Sequence, residues 1–193
     1  MAYSTIDDPT LHFNTKLYTG TGSELAITGV GFQPDFTWIK ERNGSTNHML
    51  TDSVRGATKT LHAQNTDSES TDAQALKSFD SDGFTVGTNG DVNTNTDTYV
   101  SWNWKAGGSA SNNTDGNKTI SLSVNTTAGF SVGTYTGDGQ DNTIGHGLGA
   151  IPDWLMIKNR SSGSRKWQLW HKNLTGTNKS VSYTHLRAHE TLL

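Results

Sequence analysis

The segment PDFTWIKER, residues 34–42, returns almost unchanged as PDWLMIKNR at residues 152–160. In the first copy Phe36 and Trp38 alternate with Ile39, so both faces of an extended segment are apolar, as in a strand that lies inside a sandwich or barrel. The proline before each run stands where a strand begins and no ladder N–H is required. The segment therefore predicts a buried β-strand that the chain uses twice.

The repeat extends well beyond this strand. YTGTGSELAITGVGFQPDFTWIKER, from Tyr18, aligns with YTGDGQDNTIGHGLGAIPDWLMIKNR, from Tyr135, with one extra residue before the second proline. The residues that define the repeat are Tyr18, Gly29, Gly31, Pro34, Asp35, Lys40 and Arg42 in the first copy and Tyr135, Gly147, Gly149, Pro152, Asp153, Lys158 and Arg160 in the second. A register of this length predicts that each copy is one structural unit.

Composition narrows the fold class and the partners. Hydrophobic residues make up 31 % and charged residues only 17 % of the 193 residues, so the polarity comes from Gly, Ser, Thr and Asn, which favour short strands and turns over helical bundles. The net charge of −3 does not predict the basic surface that nucleic-acid binding requires, and no apolar run predicts membrane insertion. The chain has no cysteine, which excludes disulfides and thiolate metal sites.

The aromatic segment TYVSWNWKA, residues 98–106, predicts a second strong strand. Val100, Trp102 and Trp104 share one face by the period of two, and we expect that face to lie in the core. Asn-Gly and Asp-Gly pairs separate the strands and predict turns. One short helix is predicted over residues 71–77. The sequence thus predicts an all-β antiparallel sandwich.

Four segments are predicted along the chain. Residues 1–106 form the first unit, residues 107–118 a linker rich in Gly, Ser and Asn, and residues 119–180 a truncated second copy with exposed sheet edges. The last segment, residues 181–193, reads VSYTHLRAHETLL and resembles translated sequencing-adapter DNA at the ends of metagenomic sequences. We expect that tail to be non-native.

Longer blocks of the first copy resemble a known kind of module. YTGTGSELAITGVGFQPDFTWIKER, DSVRGATKTLHAQNT and LKSFDSDGFTVGTNGDVNTNTDTYVSWNWKAGG are similar to the repeated module of uncharacterised structural proteins in marine tailed bacteriophages and their prophages. The resemblance implies a jelly-roll or concanavalin-A-like sandwich in a virion tail or fibre that is assembled in the host cytoplasm. It also implies other virion proteins as partners, and no particular biochemical activity.

An aspartate-rich segment is the candidate metal site. Asp80, Asp82, Asp91 and Asp97 lie within DSDGFTVGTNGDVNTNTD, and oxygen-rich loops of this kind can hold calcium. The alternative, Asx turns in hairpins, explains the same residues without a metal. Calcium is the one cofactor that the sequence suggests.

The tryptophans raise the hypothesis of a host glycan as ligand, because aromatic faces bind the apolar faces of sugar rings. The candidate residues are Trp38, Trp102, Trp104, Trp167 and Trp170. The first three share strand faces and are more typical of a core, whereas Trp167 and Trp170 are less clearly buried.

The residues do not predict an enzyme, since no nucleophile with its base and no pair of acids can be assigned by spacing. Asp35 and Asp153 are better explained as acceptors for backbone donors at a strand start, and Asp52 with Arg55 as a structural ion pair or a turn contact. Three function classes remain: a structural module that presents polar loops, a glycan-binding module, and a glycan depolymerase. Exposed tryptophans would favour the second, and two acids facing across a groove the third.

Overall fold

The first copy folds as two antiparallel sheets that face each other. The computed structural model describes residues 6–173 and the backbone of residues 180 and 181. The larger sheet contains, in spatial order, β1 (Phe13–Thr19), β9 (Thr98–Trp104), β3 (Phe36–Glu41), β4 (Met49–Asp52), β5 (Lys59–His62) and β6 (Ser70–Thr71). The smaller sheet contains β2 (Leu25–Ile27), β8 (Gly83–Val86) and β7 (Leu76–Asp80), in that order. A 3₁₀ turn at Pro9–Leu11 precedes β1, and a short helix, α1, spans Gly90–Asn93.

The main hydrophobic core lies between these two sheets. Ile39 of β3 and Tyr99 of β9 meet Phe84 and Val86 of β8 in a cluster of fully buried side chains. Burial of each large side chain of this kind stabilises a fold by about 1.5–3 kcal/mol. The prediction of an all-β antiparallel sandwich is confirmed.

Strand β9 is where TYVSWNWKA predicted it, but its buried face is the opposite one. Tyr99, Ser101 and Asn103 are buried, whereas Trp102 and Trp104 are only half-buried. The polar residues tolerate burial because their groups are paired: the Asn103 amide donates to Ser101 Oγ at 3.0 Å and to a backbone carbonyl of β1 at 3.1 Å. The expectation that the tryptophan face forms the core was therefore wrong.

The second copy supplies two further three-stranded antiparallel sheets. The first contains β10 (Ser111–Asn113), β11 (Ile120–Asn125) and β12 (Phe130–Thr134). The second contains β13 (Trp154–Ile157), β14 (Gln168–His171) and β15 (Ser180–Val181). Strand β10 lies inside the segment predicted as a linker and pairs with β11. The tail predicted to be non-native, residues 181–193, lies outside the described residues except for the backbone of Val181.

The two copies share the same local register. Phe36 of β3 lies opposite Asp52 of β4, and Trp154 of β13 lies opposite His171 of β14. The residue after β4 donates its N–H to the Asp35 carbonyl at 2.9 Å, and the residue after β14 donates to the Asp153 carbonyl at the same distance. The sequence repeat is therefore a structural repeat at the level of this strand pair.

The surroundings of the repeated strand differ sharply between the copies. Strand β3 lies between β9 and β4, whereas β13 pairs only with β14 in the part of the chain that the structure describes. Trp154 is 50 % exposed, Leu155 38 % and Ile157 41 %. The expectation that both copies of the strand are buried was right for β3 and wrong for β13. Met156 packs against the cluster of Leu50, Leu61 and Trp167, but the opposite face of β13, with Leu155 and Ile157, is exposed.

The helix predicted over residues 71–77 does not form. Residues 72–75 make a turn in which the Asp72 carboxylate accepts the N–H of Gln74 at 2.7 Å, and β7 follows directly. This local bond competes with helix formation. The short helix α1 begins instead after Asn89, whose side chain caps it by accepting the N–H of Asp91 at 2.7 Å. Among the described residues, no helix is long and apolar enough to cross a membrane.

Asp35 and Asp153, which are equivalent in the repeat, allow a matched test of the different surroundings of the two copies. Asp35 is 2 % exposed, and its carboxylate accepts hydrogen bonds from the Ser53 hydroxyl and from the N–H groups of Ala106 and Gly108 at 2.7–3.2 Å. Asp35→Ala leaves these donors without their acceptor, so we expect a loss of about 3 kcal/mol or more in the free energy of unfolding, measured by urea denaturation. Asp153→Ala removes a largely exposed carboxylate and should change the free energy of unfolding by less than about 1 kcal/mol. Equal effects would contradict the structure.

The burial of Tyr18 predicts that the stability of the protein falls at alkaline pH. Burial of its side chain, with a smaller contribution from nearby Tyr99, raises the pKa of the Tyr18 hydroxyl well above its usual value, and the hydroxyl donates to the Val92 carbonyl at 2.8 Å. The folded state thus favours the protonated form, so its stabilising effect is present below about pH 10 and is lost as the pH rises further.

Tyr18→Phe should lower the free energy of unfolding at pH 7 by about 1 kcal/mol and flatten its decline above pH 10, as measured by urea denaturation across pH 7–11. Tyr135→Phe, at the equivalent position of the second copy, is the control because that ring is 39 % exposed. A Tyr18→Phe variant that declines as steeply as the parent protein would refute this assignment.

Candidate functional site

A row of aromatic rings covers the outer face of the large sheet, on the side away from the main core. We call this row the aromatic face; it consists of Phe13, Phe36, Trp38, Trp102 and Trp104. The register of the sheet creates it, because Phe36 of β3 lies opposite Trp104 of β9 and Trp38 lies opposite Trp102. Side chains two residues apart share a face, so neighbouring strands bring their aromatic positions together.

The rings of the aromatic face hold one another in place. The Trp38 and Trp102 rings pack edge to face with centroids 6.1 Å apart, and the Trp38 indole N–H donates to His48 Nδ1 at 2.9 Å. The Phe36 and Trp104 centroids lie 5.3 Å apart. These contacts restrict ring motion, which is the condition for an aromatic surface to bind a ligand at low entropic cost.

The second copy lies across part of this face and leaves a cleft. The Phe130 ring of β12 stacks on Trp104 with centroids 6.2 Å apart, and Trp154 of β13 also lines the cleft. The cleft has a volume of about 1210 Å³, which is large enough for several sugar residues or a comparable ligand. The aromatic face is therefore half covered and half accessible.

Trp167 closes one side of the cleft. It is only 8 % exposed, packs on Leu50 and Leu61 of the large sheet, and donates its indole N–H to the His62 carbonyl at 2.8 Å. Met156 of β13 packs on the same cluster. Trp167 thus joins the two copies, and little of its surface remains for a ligand.

Ion pairs reinforce this junction. The Arg55 guanidinium is 4 % exposed and donates to the carboxylates of Asp52 and, at 3.2 Å, of Glu69. Arg160 of the second copy donates to the same Glu69 carboxylate at 3.2 Å. Lys158 donates to the Thr66 carbonyl at 2.8 Å, and partial burial lowers the pKa of its ammonium group. The predicted pairing of Asp52 with Arg55 is confirmed.

The charges around the cleft are mostly positive. Among the described residues that line it, the charged ones are Asp52, Arg55, Asp153, Lys158, Arg160, Arg165 and Lys166. Asp52 is paired with Arg55, and Asp153 with Lys172 at 2.8 Å. Because Arg55 and Arg160 are themselves paired with Glu69, the positive charge that the cleft offers comes mainly from Lys158, Arg165 and Lys166. Arg165 and Lys166 are exposed at the rim. The cleft is therefore suited to an anionic ligand.

The predicted ligand-binding tryptophans separate into two groups. Trp38, Trp104 and Trp167 line the cleft, whereas Trp102 supports Trp38 from the side and Trp170 lies half-buried on β14 away from the cleft lining. Four further aromatic residues line the cleft that were not predicted as ligand-binding residues: Phe36, Phe130, Tyr135 and Trp154. Trp154 could have been named because it aligns with Phe36 in the repeat, although its place in the cleft comes from packing between the copies.

The four aspartates predicted as a calcium site serve separate hydrogen bonds. The Asp80 carboxylate accepts from Ser78 and Thr85, and Asp82 accepts the N–H groups of Gly29 and Gly31, which lower the pKa of its carboxyl.

The carboxylates of Asp91 and Asp97 accept hydrogen bonds from two other loops. Asp91 accepts from Asn47 at 3.1–3.2 Å, and Asp97 accepts from Asn43 at 3.2 Å. Among the described residues, no cluster of three or more metal-ligating side chains occurs. Asp82, Asp91 and Asp97 thus join loops that are far apart in the sequence, and Asp80 accepts from two hydroxyl groups, so these bonds are not the local Asx turns of the alternative explanation.

Comparisons with known proteins place the chain in a family. No curated protein and no solved structure matches it. One family model matches residues 8–191, which is most of the chain and includes both copies of the repeat. The chain belongs to that family, which is described as a domain of unknown function, DUF7483.

Proposed function

We propose that this chain is a repeat module of a phage tail or fibre protein and that its cleft binds a glycan of the host surface. The observation that supports glycan binding is that Trp38 and Trp104 of the aromatic face line the cleft together with Trp154. The virion setting rests on the resemblance of the repeated blocks. Virion proteins and host glycan are the proposed partners.

The chemistry of the cleft matches the requirements of a sugar ligand. The C–H faces of a pyranose ring are apolar and stack on indole rings, which exclude water from one side of the sugar. Hydroxyl groups at the ring edge need donors and acceptors, and His146 and Asn159 lie among the cleft residues. The flat, rigid rings supply contact area at low entropic cost.

The positive rim narrows the class of glycan. Arg165 and Lys166 add charge beside the aromatic residues of the cleft, and the acids of the cleft are neutralised by their own partners. Carboxylate, sulfate or phosphate groups on a polysaccharide would gain charge-assisted hydrogen bonds from these side chains. We therefore propose an acidic polysaccharide as the ligand.

The packing between the copies favours a structural role for the same module. Trp167, Lys158 and Arg160 join the second copy to the first through apolar contact, hydrogen bonds and ion pairs. A rigid junction between repeats would keep successive clefts in a fixed arrangement along a fibre, which suits multivalent attachment.

Removal of the Trp154 ring tests the ligand site directly. The ring is 50 % exposed, so Trp154→Ala should leave the fold intact and weaken polysaccharide binding about tenfold, as measured by isothermal titration against the strongest ligand found on a glycan array. Leu17→Ala is the control, because Leu17 is 61 % exposed and does not line the cleft. No binding to any glycan of the array or to polysaccharide from the host surface would contradict the proposal.

The charge of the rim gives a second test. Arg165→Gln combined with Lys166→Gln should reduce affinity for acidic polysaccharides roughly threefold to tenfold in low salt, and the difference should shrink as salt screens the charges. Lys105→Gln, which changes an exposed lysine outside the cleft, is the control. Equal binding of acidic and neutral polysaccharides by the parent protein would refute the acidic class while leaving glycan binding in place.

A further inference from the structure

Among the described residues, one edge of β13 lacks the neighbouring strand that its repeat partner, β3, has. Strand β3 is flanked by β4 and β9, but β13 has only β14 beside it in the described ranges 6–173 and 180–181. We propose that this edge binds an antiparallel strand of the β9 type, supplied by another copy of the repeat. Asp153 and the residues of β13 also line the glycan cleft, but pairing at this edge uses the backbone groups of the strand and does not depend on the proposed function.

The first copy shows the geometry of the occupied state. On β3, Phe36 lies opposite Trp104 and Trp38 opposite Trp102. Because β13 pairs with β14 in the register that β3 has with β4, Trp154 and Met156 stand where Phe36 and Trp38 stand. A β9-type strand on this edge would place its two tryptophans beside Trp154 and Met156 and extend the aromatic row.

Asp153 supplies a matching anchor. In the first copy the Asp35 carboxylate accepts the N–H groups of Ala106 and Gly108, which follow β9 in the sequence Lys-Ala-Gly-Gly. The Asp153 carboxylate is 67 % exposed and has Lys172 as its ionic partner. It can therefore accept the backbone donors, and attract the lysine, of an incoming strand that ends in the same residues.

The exposed surface of β13 is that of a pairing site. Leu155 and Ile157 are 38 % and 41 % exposed, and the strand contains no charged residue or proline between Trp154 and Ile157. Sheet edges without such blocking residues are templates for another strand, and addition of a strand to an edge is an established mode of recognition.

A peptide of residues 97–108, DTYVSWNWKAGG, is the probe, and the full 193-residue chain is the receptor. We expect saturable binding by fluorescence anisotropy. Amide hydrogen exchange should become slower at residues 154–157 when the peptide is added and should stay unchanged at residues 36–41. Asp153→Ala should weaken binding about tenfold, because charge-assisted bonds to the peptide backbone are lost. Asp141→Ala, which removes an exposed acid elsewhere in the second copy, should leave binding unchanged.

A shortened peptide separates the anchor from the strand. Residues 97–105, which lack the Ala-Gly-Gly end, should bind the parent protein about tenfold more weakly than the longer peptide, and the two peptides should bind the Asp153→Ala variant alike. Retained thermal stability of that variant shows that the change acts on binding. The proposal is overturned if no saturable binding occurs, if a scrambled peptide binds equally well, or if exchange slows away from β13.

Discussion

The arrangement of the molecule depends on β3, because both faces of this strand are covered by different parts of the chain. Ile39 points into the core between the two sheets of the first copy, and Trp38 packs from the other face against the cluster that contains Leu50 and Trp167. Each buried apolar side chain contributes about 1.5–3 kcal/mol to folding, so the strand couples the stability of the sandwich to the attachment of the second copy. The cleft exists because that second cover is incomplete.

The repeat determines local structure but not the contacts that local structure makes. Lys40 donates to the carbonyl of Gly44 within its own loop, and the equivalent Lys158 likewise donates to the carbonyl of Arg165 within its loop. Only Lys158 of this pair also donates to the other copy, at the Thr66 carbonyl. The strand pair keeps its register in both copies because backbone pairing and the turn that precedes it are encoded nearby in sequence. What a side chain meets beyond the strand depends on which further elements are present around it.

The sequence was informative about strands and much less so about their faces. Period-two alternation located β3 and β9, but it assigned the wrong face of β9 to the core, because Ser101 and Asn103 are polar and become buried only by satisfying each other. The helix expected at residues 71–77 failed because an Asx turn at Asp72 competed with it.

The candidate site shows the same limit. Trp38 and Trp104 could be named from the sequence, since their positions on adjacent strands follow from alternation. The sequence could not predict that Phe130 and Trp154 lie in the same cleft as these two residues, because their position arises from packing between the copies. Trp154 begins β13 and also lines the cleft, so it belongs to both proposed surfaces: its backbone lies in the plane of the sheet, where ladder hydrogen bonds form, and its side chain stands roughly perpendicular to that plane. A strand added at the edge would therefore fix the Trp154 backbone and place its own tryptophans on the same face, beside Trp154 and Met156, where they would add to the aromatic lining of the cleft.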